Sequence, residues 1–155
     1  MVSIISDTVA SVLDALDIRY LREEGEFNFR VGEDDGDITY CVSVDEEGEM
    51  LTVVGYFPVC VPQENVDRVC RLLNDLNEQS VIGAFSVDPE DRRPSFHLSN
   101  YVCGGAVKER IVQMCLLQVM GHVSHSFQAI ARAMYGGEQY TFTFANESPS
   151  PEQPD

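Results

Sequence analysis

The sequence predicts a mixed α+β domain in which one antiparallel sheet carries helices mainly on one side. Three observations predict it. Short stretches alternate apolar and polar residues, as half-buried strands do. Longer stretches repeat apolar residues every three or four positions, as amphipathic helices do. The two kinds follow one another as helix, three strands, helix, two strands, helix. A chain of 155 residues with 44% hydrophobic content fills one core of this kind.

Residues 6–17 set Val9, Val12, Leu13 and Leu16 on one helical stripe, with Ser6 as the expected cap and Asp7 favourable to the helix dipole. In EFNFRV, Phe27, Phe29 and Val31 alternate with Glu26, Asn28 and Arg30. The Asp35-Gly36 pair suits a tight hairpin, after which Ile38, Tyr40, Val42 and Val44 alternate with Thr39, Cys41 and Ser43. Glu47-Gly48 returns the chain as a third strand, Leu51 to Phe57, completing a meander. Pro58 and Pro62 stop that strand, and Pro62 suits the first turn of a second helix whose stripe is Val66, Val69, Cys70, Leu73 and Leu76.

GAFSVD and SFHLSNYV then form a second hairpin across the turn DPEDRRP, with Phe85 and Val87 matched to Phe96 and Leu98. A long helix is expected from about 106 to 135 between two glycine pairs, with Val112, Leu116, Val119, Met120, Val123, Phe127, Ile130 and Met134 inward. Residues 1–137 therefore read as one domain. In the extension 138–155, YTFTFA alternates like one more short strand, and NESPSPEQPD has too little apolar content to repay its ordering.

Twenty-six Asp and Glu against ten Lys and Arg give a formal charge of -16. Such a surface repels phosphate backbones and acidic headgroups, which excludes nucleic acid and membrane surfaces as expected partners. The most apolar stretch, residues 51–62, is far shorter than a membrane span and carries two prolines. Five cysteines without a CxxC pair, and an N-terminus without a basic leader pattern, point to a reducing cytoplasm.

Signatures of catalysis are absent: no GxSxG, no GxxxxGK[ST], no GxGxxG and no HExxH. The sharpest chemical candidate is Cys115 with His122 and His125, which could share a face of the last helix as metal ligands. Chance spacing explains the pair of histidines better, because helical metal sites recruit ligands from facing helices as well. Neither a metal nor a cofactor is predicted. Residues 23–49 hold eleven Asp or Glu with Arg30 as the one base; they lack the alternating ligands of an EF-hand and read as solvated hairpin loops.

Several strings, in their order and spacing, carry a family likeness: FPVCVP at 57–62, LLNDLN at 72–77, GAFSVDPED at 83–91 and the long last helix. Over about residues 4–136 the chain resembles the YbjN-like bacterial family, whose fold is similar to that of type III secretion chaperones. The resemblance implies the order α-β-β-β-α-β-β-α. It also implies a non-enzymatic, often dimeric binding scaffold of the kind described as sensory transduction regulators, with no catalytic residue to transfer. Two positions depart from the family pattern: Arg92-Arg93-Pro94 stands where a glycine is expected after the DPED turn, and His97 stands where an arginine is common.

If the apolar strand residues face the helices, pleating sends Asn28, Arg30, Thr39, Cys41, Ser43, Thr52, Val54, Tyr56, Ser86, His97 and Tyr101 to the other side. From this set Arg30, Cys41, Val54, Tyr56, His97 and Tyr101 are the candidate partner-binding residues, since aromatics and arginine carry most interface energy. The partner would be a segment of another protein held on this face or along a sheet edge; a dedicated secretion chaperone for an effector is the alternative. Val107, Ile111, Met114, Cys115 and Leu117 give the last helix more apolar area than one sheet face needs, which predicts a homodimer. Tyr140, Phe142 and Phe144 could dock on a sheet edge and shield a binding groove.

Overall fold

The computed structural model describes residues 4–33, 36–102 and 109–135. Within them the order is α1 (Ile4–Ala15), β1 (Leu21–Glu23), β2 (Glu26–Glu33), β3 (Gly36–Asp45), β4 (Met50–Tyr56), α2 (Val66–Gln79), β5 (Ala84–Val87), β6 (Pro94–Tyr101) and α3 (Glu109–Tyr135). The strands form one antiparallel sheet ordered β1-β2-β3-β4-β6-β5. The expected first three residues of the last helix, Val107 among them, lie outside the described residues, as do the glycine pairs that flank it and the whole extension 138–155.

The strand β1 is an addition to the expected order. Its three residues are all exposed and show no alternation, so apolar patterning carries no trace of it. Backbone pairing with β2 holds it, through a two-residue turn in which Glu24 and Gly25 both take positive φ, 27° and 84°. That is the conformation that matches the right-handed twist of a hairpin. Arg22 adds a stack on the Phe27 ring, 5.2 Å from its centroid, and a 3.4 Å contact to Asp7 of α1.

Helix α1 starts earlier than expected and is capped differently. Ser6 is buried in its first turn rather than standing before it. The N–H of Ser6 donates to Oε1 of Glu46 at 2.9 Å, and that of Ile5 to Oε2 at 3.4 Å. A carboxylate from the β3–β4 turn thus serves the free amides and the positive end of the dipole. At the other end Asp17, at φ 56°, lets the N–H of Ile18 reach back to the carbonyl of Leu13 at 3.0 Å.

Gly36, expected in the first hairpin turn, instead opens β3 and pairs with Glu33, while Asp35 lies outside the described residues. In the second, Glu49 rather than Gly48 takes the left-handed conformation, at φ 51°, while the Gly48 N–H donates to Asp45. The stripe of α2 also differs by one position. Val69, Leu72, Leu73 and Leu76 are buried, whereas Cys70 is exposed and Val66 half-buried.

Pleating sorts the sheet as expected. Phe27, Phe29, Ile38, Tyr40, Val42, Leu51, Val53, Phe85, Phe96 and Leu98 are buried in one cluster with α1, α2 and α3. Val44 and Val87, expected inside, are half-buried because each lies at the end of its strand: the β2 partners stop at Ser43, and β5 ends at Val87. α3 contacts both other helices as well as β4 and β6, and so forms the centre of the helical layer. It packs tightly over Gly55, where an added Cβ would stand 2.9 Å from both Tyr40 Cε1 and Val123 Cγ2. Gly55→Ala should therefore destabilise the fold by ~1–3 kcal/mol, as overpacking does. Urea denaturation measures it, and an unchanged midpoint would mean the helix is not seated there.

The two sheet edges differ. On β5, Asn77 of α2 accepts from the Phe85 N–H at 2.7 Å and donates to the Phe85 carbonyl at 3.0 Å. This amide takes the place of a further strand. On β1 no described helix plays that part.

The open face of the sheet as candidate functional site

The face turned away from the helices is built in rows by the strand register. One row runs Arg30, Thr39, Tyr56, Ser95, Ser86; the next runs Leu21, Asn28, Cys41, Val54, His97, Ala84. All six candidate residues lie on this face. Arg30, His97 and Tyr101 are exposed, and Cys41, Val54 and Tyr56 are half-buried.

Five of the six fall in these two adjacent rows. Val54, Tyr56 and His97 line one shallow depression of about 470 Å³, together with Asp88, Asp91 and Arg93 of the β5–β6 turn. Arg30 belongs to a second depression, about 530 Å³, walled by Arg19, Tyr20, Leu21 and Asn28 at the β1 edge. Cys41 bridges the two, paired with Asn28 on one side and Val54 on the other. Tyr101 stands apart. It is opposite Met50 at the far end of β6, about 13 Å along the strand from His97.

Arg93 is the side chain beside this face that patterning missed, because an arginine in an acidic turn reads as solvated charge. Its guanidinium lies 5.0 Å from the centroid of the Tyr56 ring, and its Nε donates to the Phe57 carbonyl at 2.8 Å. Arg92 takes φ 61°, the conformation that a glycine would adopt at no steric cost, and its Nε donates to the Val61 carbonyl at 2.9 Å. The departure from the family pattern at this turn thus has a structural counterpart: two arginines fasten the turn to the segment leaving β4. Asp88 orders the turn by accepting from the Glu90 and Asp91 amides.

Burial favours the neutral forms of two ionisable groups on the face. Burial pushes the Cys41 thiol up, against a 3.7 Å contact with the Ser43 hydroxyl, and nearby Glu26 pushes the same way. A thiol held protonated is a poor nucleophile. Burial also raises Tyr56, with Cys41 adding to the effect, so its hydroxyl stays neutral and able to donate. Hydroxyl pairs such as Thr52 with Ser99, at 2.9 Å, fill the remaining positions.

The candidate ligands Cys115, His122 and His125 are each in a different setting. Cys115 is buried, with its thiol raised by that burial and an Asn100 amide 4.0 Å away. His122 stacks on Phe96, with centroids 4.6 Å apart and planes 18° from parallel, while His125 is exposed. Among the described residues no group of three or more His, Cys, Asp or Glu is placed to hold a metal ion. No helix among them is long and apolar enough to cross a membrane.

Burial lowers the His122 pKa below its ordinary 6.5, with repulsion from His125 as the smaller cause. The unfolded chain then binds the proton before the native one does. This contribution to stability is complete above about 6.5 and is lost as pH falls from there through the folded value. Thermal melts over that interval should fall less steeply for His122→Phe, which keeps the stack and cannot be charged. Equal slopes would contradict the assignment.

Comparison with known proteins agrees with this architecture. No curated protein matches the chain in sequence. Among solved structures, YbjN from E. coli, described as "a putative transcription regulator", superposes with a TM-score of 0.62 at 17% identity, covering 82% of this chain and 89% of that one. A chain of the ExsC–ExsE complex superposes with a TM-score of 0.54 at 10% identity, covering 81% and 92%. At these identities the likeness is one of fold, and the fold is the type III secretion chaperone-like one expected. A family model described as "Putative bacterial sensory transduction regulator" matches residues 6–130, and the chain belongs to that family, YbjN.

Proposed function

We propose that this chain is a non-enzymatic, cytoplasmic, chaperone-like adaptor that holds a segment of another protein on the open face of its sheet. The observation that carries the reading is the clustering of Arg30, Cys41, Val54, Tyr56 and His97 in two adjacent rows, with Arg93 alongside, on the face opposite the helices. An aromatic ring backed by a guanidinium, small hydroxyls and a neutral thiol offer contact area and hydrogen bonds without a reactive centre. The complex named in the ExsC–ExsE structure supports protein binding as a use of this fold. A photo-crosslinker at position 97 should give a discrete adduct in the native host, and one at Glu64, on the helical side, should not. Equal labelling from both would remove the open face as the binding site.

Self-association is the second part of the reading, and one observation favours it. Residues 110–137 contain no Asp or Glu in a chain of net charge -16. Along that run Ile111, Met114 and Leu117 are exposed, and exposed Gly121 has nothing within 4 Å of where a Cβ would stand. Cys115, expected on this surface, is instead buried in the core. Two copies can approach through α3 with less repulsion than through their acidic turns, and a helix-interior glycine permits close crossing. The sign of Gly121→Ala is the test. In a lone helix alanine gains roughly 0.8–1 kcal/mol over glycine, whereas at a tight crossing it loosens the dimer. Light scattering across a dilution series should show earlier dissociation of the variant; a more stable variant with unchanged mass would overturn the crossing.

A further inference from the structure

At the C-terminal end of α3 a groove of about 410 Å³ opens between the helix and the segment that leaves β4. Pro58 and Val59 form one wall, Phe127 and Ala131 lie along the helix, and Arg132 and Tyr135 stand at the end. Phe127 is anchored by stacking on Phe57, with centroids 5.4 Å apart. Val59 and Tyr135 are left 39% and 64% exposed. The groove belongs neither to the open face nor to the stretch around Gly121, and no part of the proposed function uses it.

We infer that this groove is the docking site for the chain's own residues 138–145, with Tyr140, Phe142 and Phe144 alternating into and along it. Three features select that occupant. The first is connection. Gly136 and Gly137 follow Tyr135 directly, and glycine sets no steric bar to a reversal of the chain. From there residues 138–144 reach about 23 Å when extended, ample for a wall that runs about 10 Å from Gln128 to Tyr135 along the helix. The second is charge. The extension carries Glu138, Glu147, Glu152 and Asp155 with no base, so the acidic hairpin turns repel it, whereas the groove holds Arg132 on a stretch of helix, residues 110–135, that carries no Asp or Glu. The third is pattern. Alternate aromatics present a row of rings to one side of an extended segment, and an apolar groove with exposed walls accepts such a row. A tethered segment also acts at an effective concentration in the millimolar range, which an untethered partner must match.

The chain contains no tryptophan, so Phe142→Trp in the full-length protein introduces a single indole reporter. A docked indole emits at shorter wavelength and is quenched by acrylamide several-fold less than a solvated one. Adding Ala131→Glu, on the helix wall, or Val59→Asp, on the opposite wall, should return emission and quenching to solvated values. Circular dichroism identifies either variant that fails to fold, and the other then decides. Protection that is the same at every protein concentration and lost with the groove substitution supports the proposal. A solvated indole in the parent, protection indifferent to both walls, or protection that grows with concentration overturns it, the last by assigning the groove to a second copy.

Discussion

Replacing Phe96 with alanine should cost ~3–5 kcal/mol of stability, the range for truncating a buried aromatic. Phe96 is fully buried in β6, flanked in register by Gly55 of β4 and Phe85 of β5. Its ring meets Phe85 edge-on, with centroids 4.7 Å apart, and lies parallel to His122 of α3 at 4.6 Å. One side chain thus joins the edge hairpin, the central strand and the central helix. The neighbours cannot close the space easily, because Phe85 is held through its backbone by Asn77 and His122 by a helix already seated at Gly55. Total stabilities of about 5–15 kcal/mol leave little margin after such a loss. Urea titration gives the magnitude. A loss below about 1 kcal/mol would show that these rings do not tie sheet to helix. In a variant that remains folded, the His122 pKa should move back toward 6.5, since the ring that shields it is gone.

Converting Arg30, Tyr56 and Tyr101 together to alanine should abolish partner capture while leaving the melting curve nearly unchanged. Arg30 and Tyr101 are exposed and Tyr56 is half-buried, so none of them holds the core. Interface hot spots of this chemistry are each worth at least about 2 kcal/mol. Even two of the three would weaken binding on the order of 1,000-fold. The single variants should separate: Tyr56→Ala, in the row shared with Arg30 and beside Arg93, should lose more than Tyr101→Ala, which lies about 13 Å from His97. Undiminished capture by the triple variant would take the binding site off this face.

The faces of the five expected strands and the three helices were legible because each rests on local periodicity, and period-two alternation placed all six candidates on one side. What was not legible depends on residues distant in sequence. Glu46 caps a helix that begins 42 positions earlier, and no local pattern connects a turn carboxylate with α1. β1 is held by backbone pairing and by Arg22, and three exposed residues carry no apolar signal; the Glu24-Gly25 pair was its one visible mark. Arg93 could be placed over Tyr56 only once β6 was known to lie beside β4. Tyr101 shares the face of the other candidates but not their neighbourhood, because alternation assigns a side and says nothing about separation along a strand.

The strand order has a consequence during synthesis. The second neighbour of β4 is β6, which arrives some forty residues later, after α2 and β5 have been made. A chain that pairs its first four strands before then leaves Val53 and Val54 on a last strand with an unoccupied row of amides and carbonyls, a template for other chains. Truncation after residue 62, which leaves β4 without its neighbour β6, should accordingly produce insoluble material rather than a small independent fold.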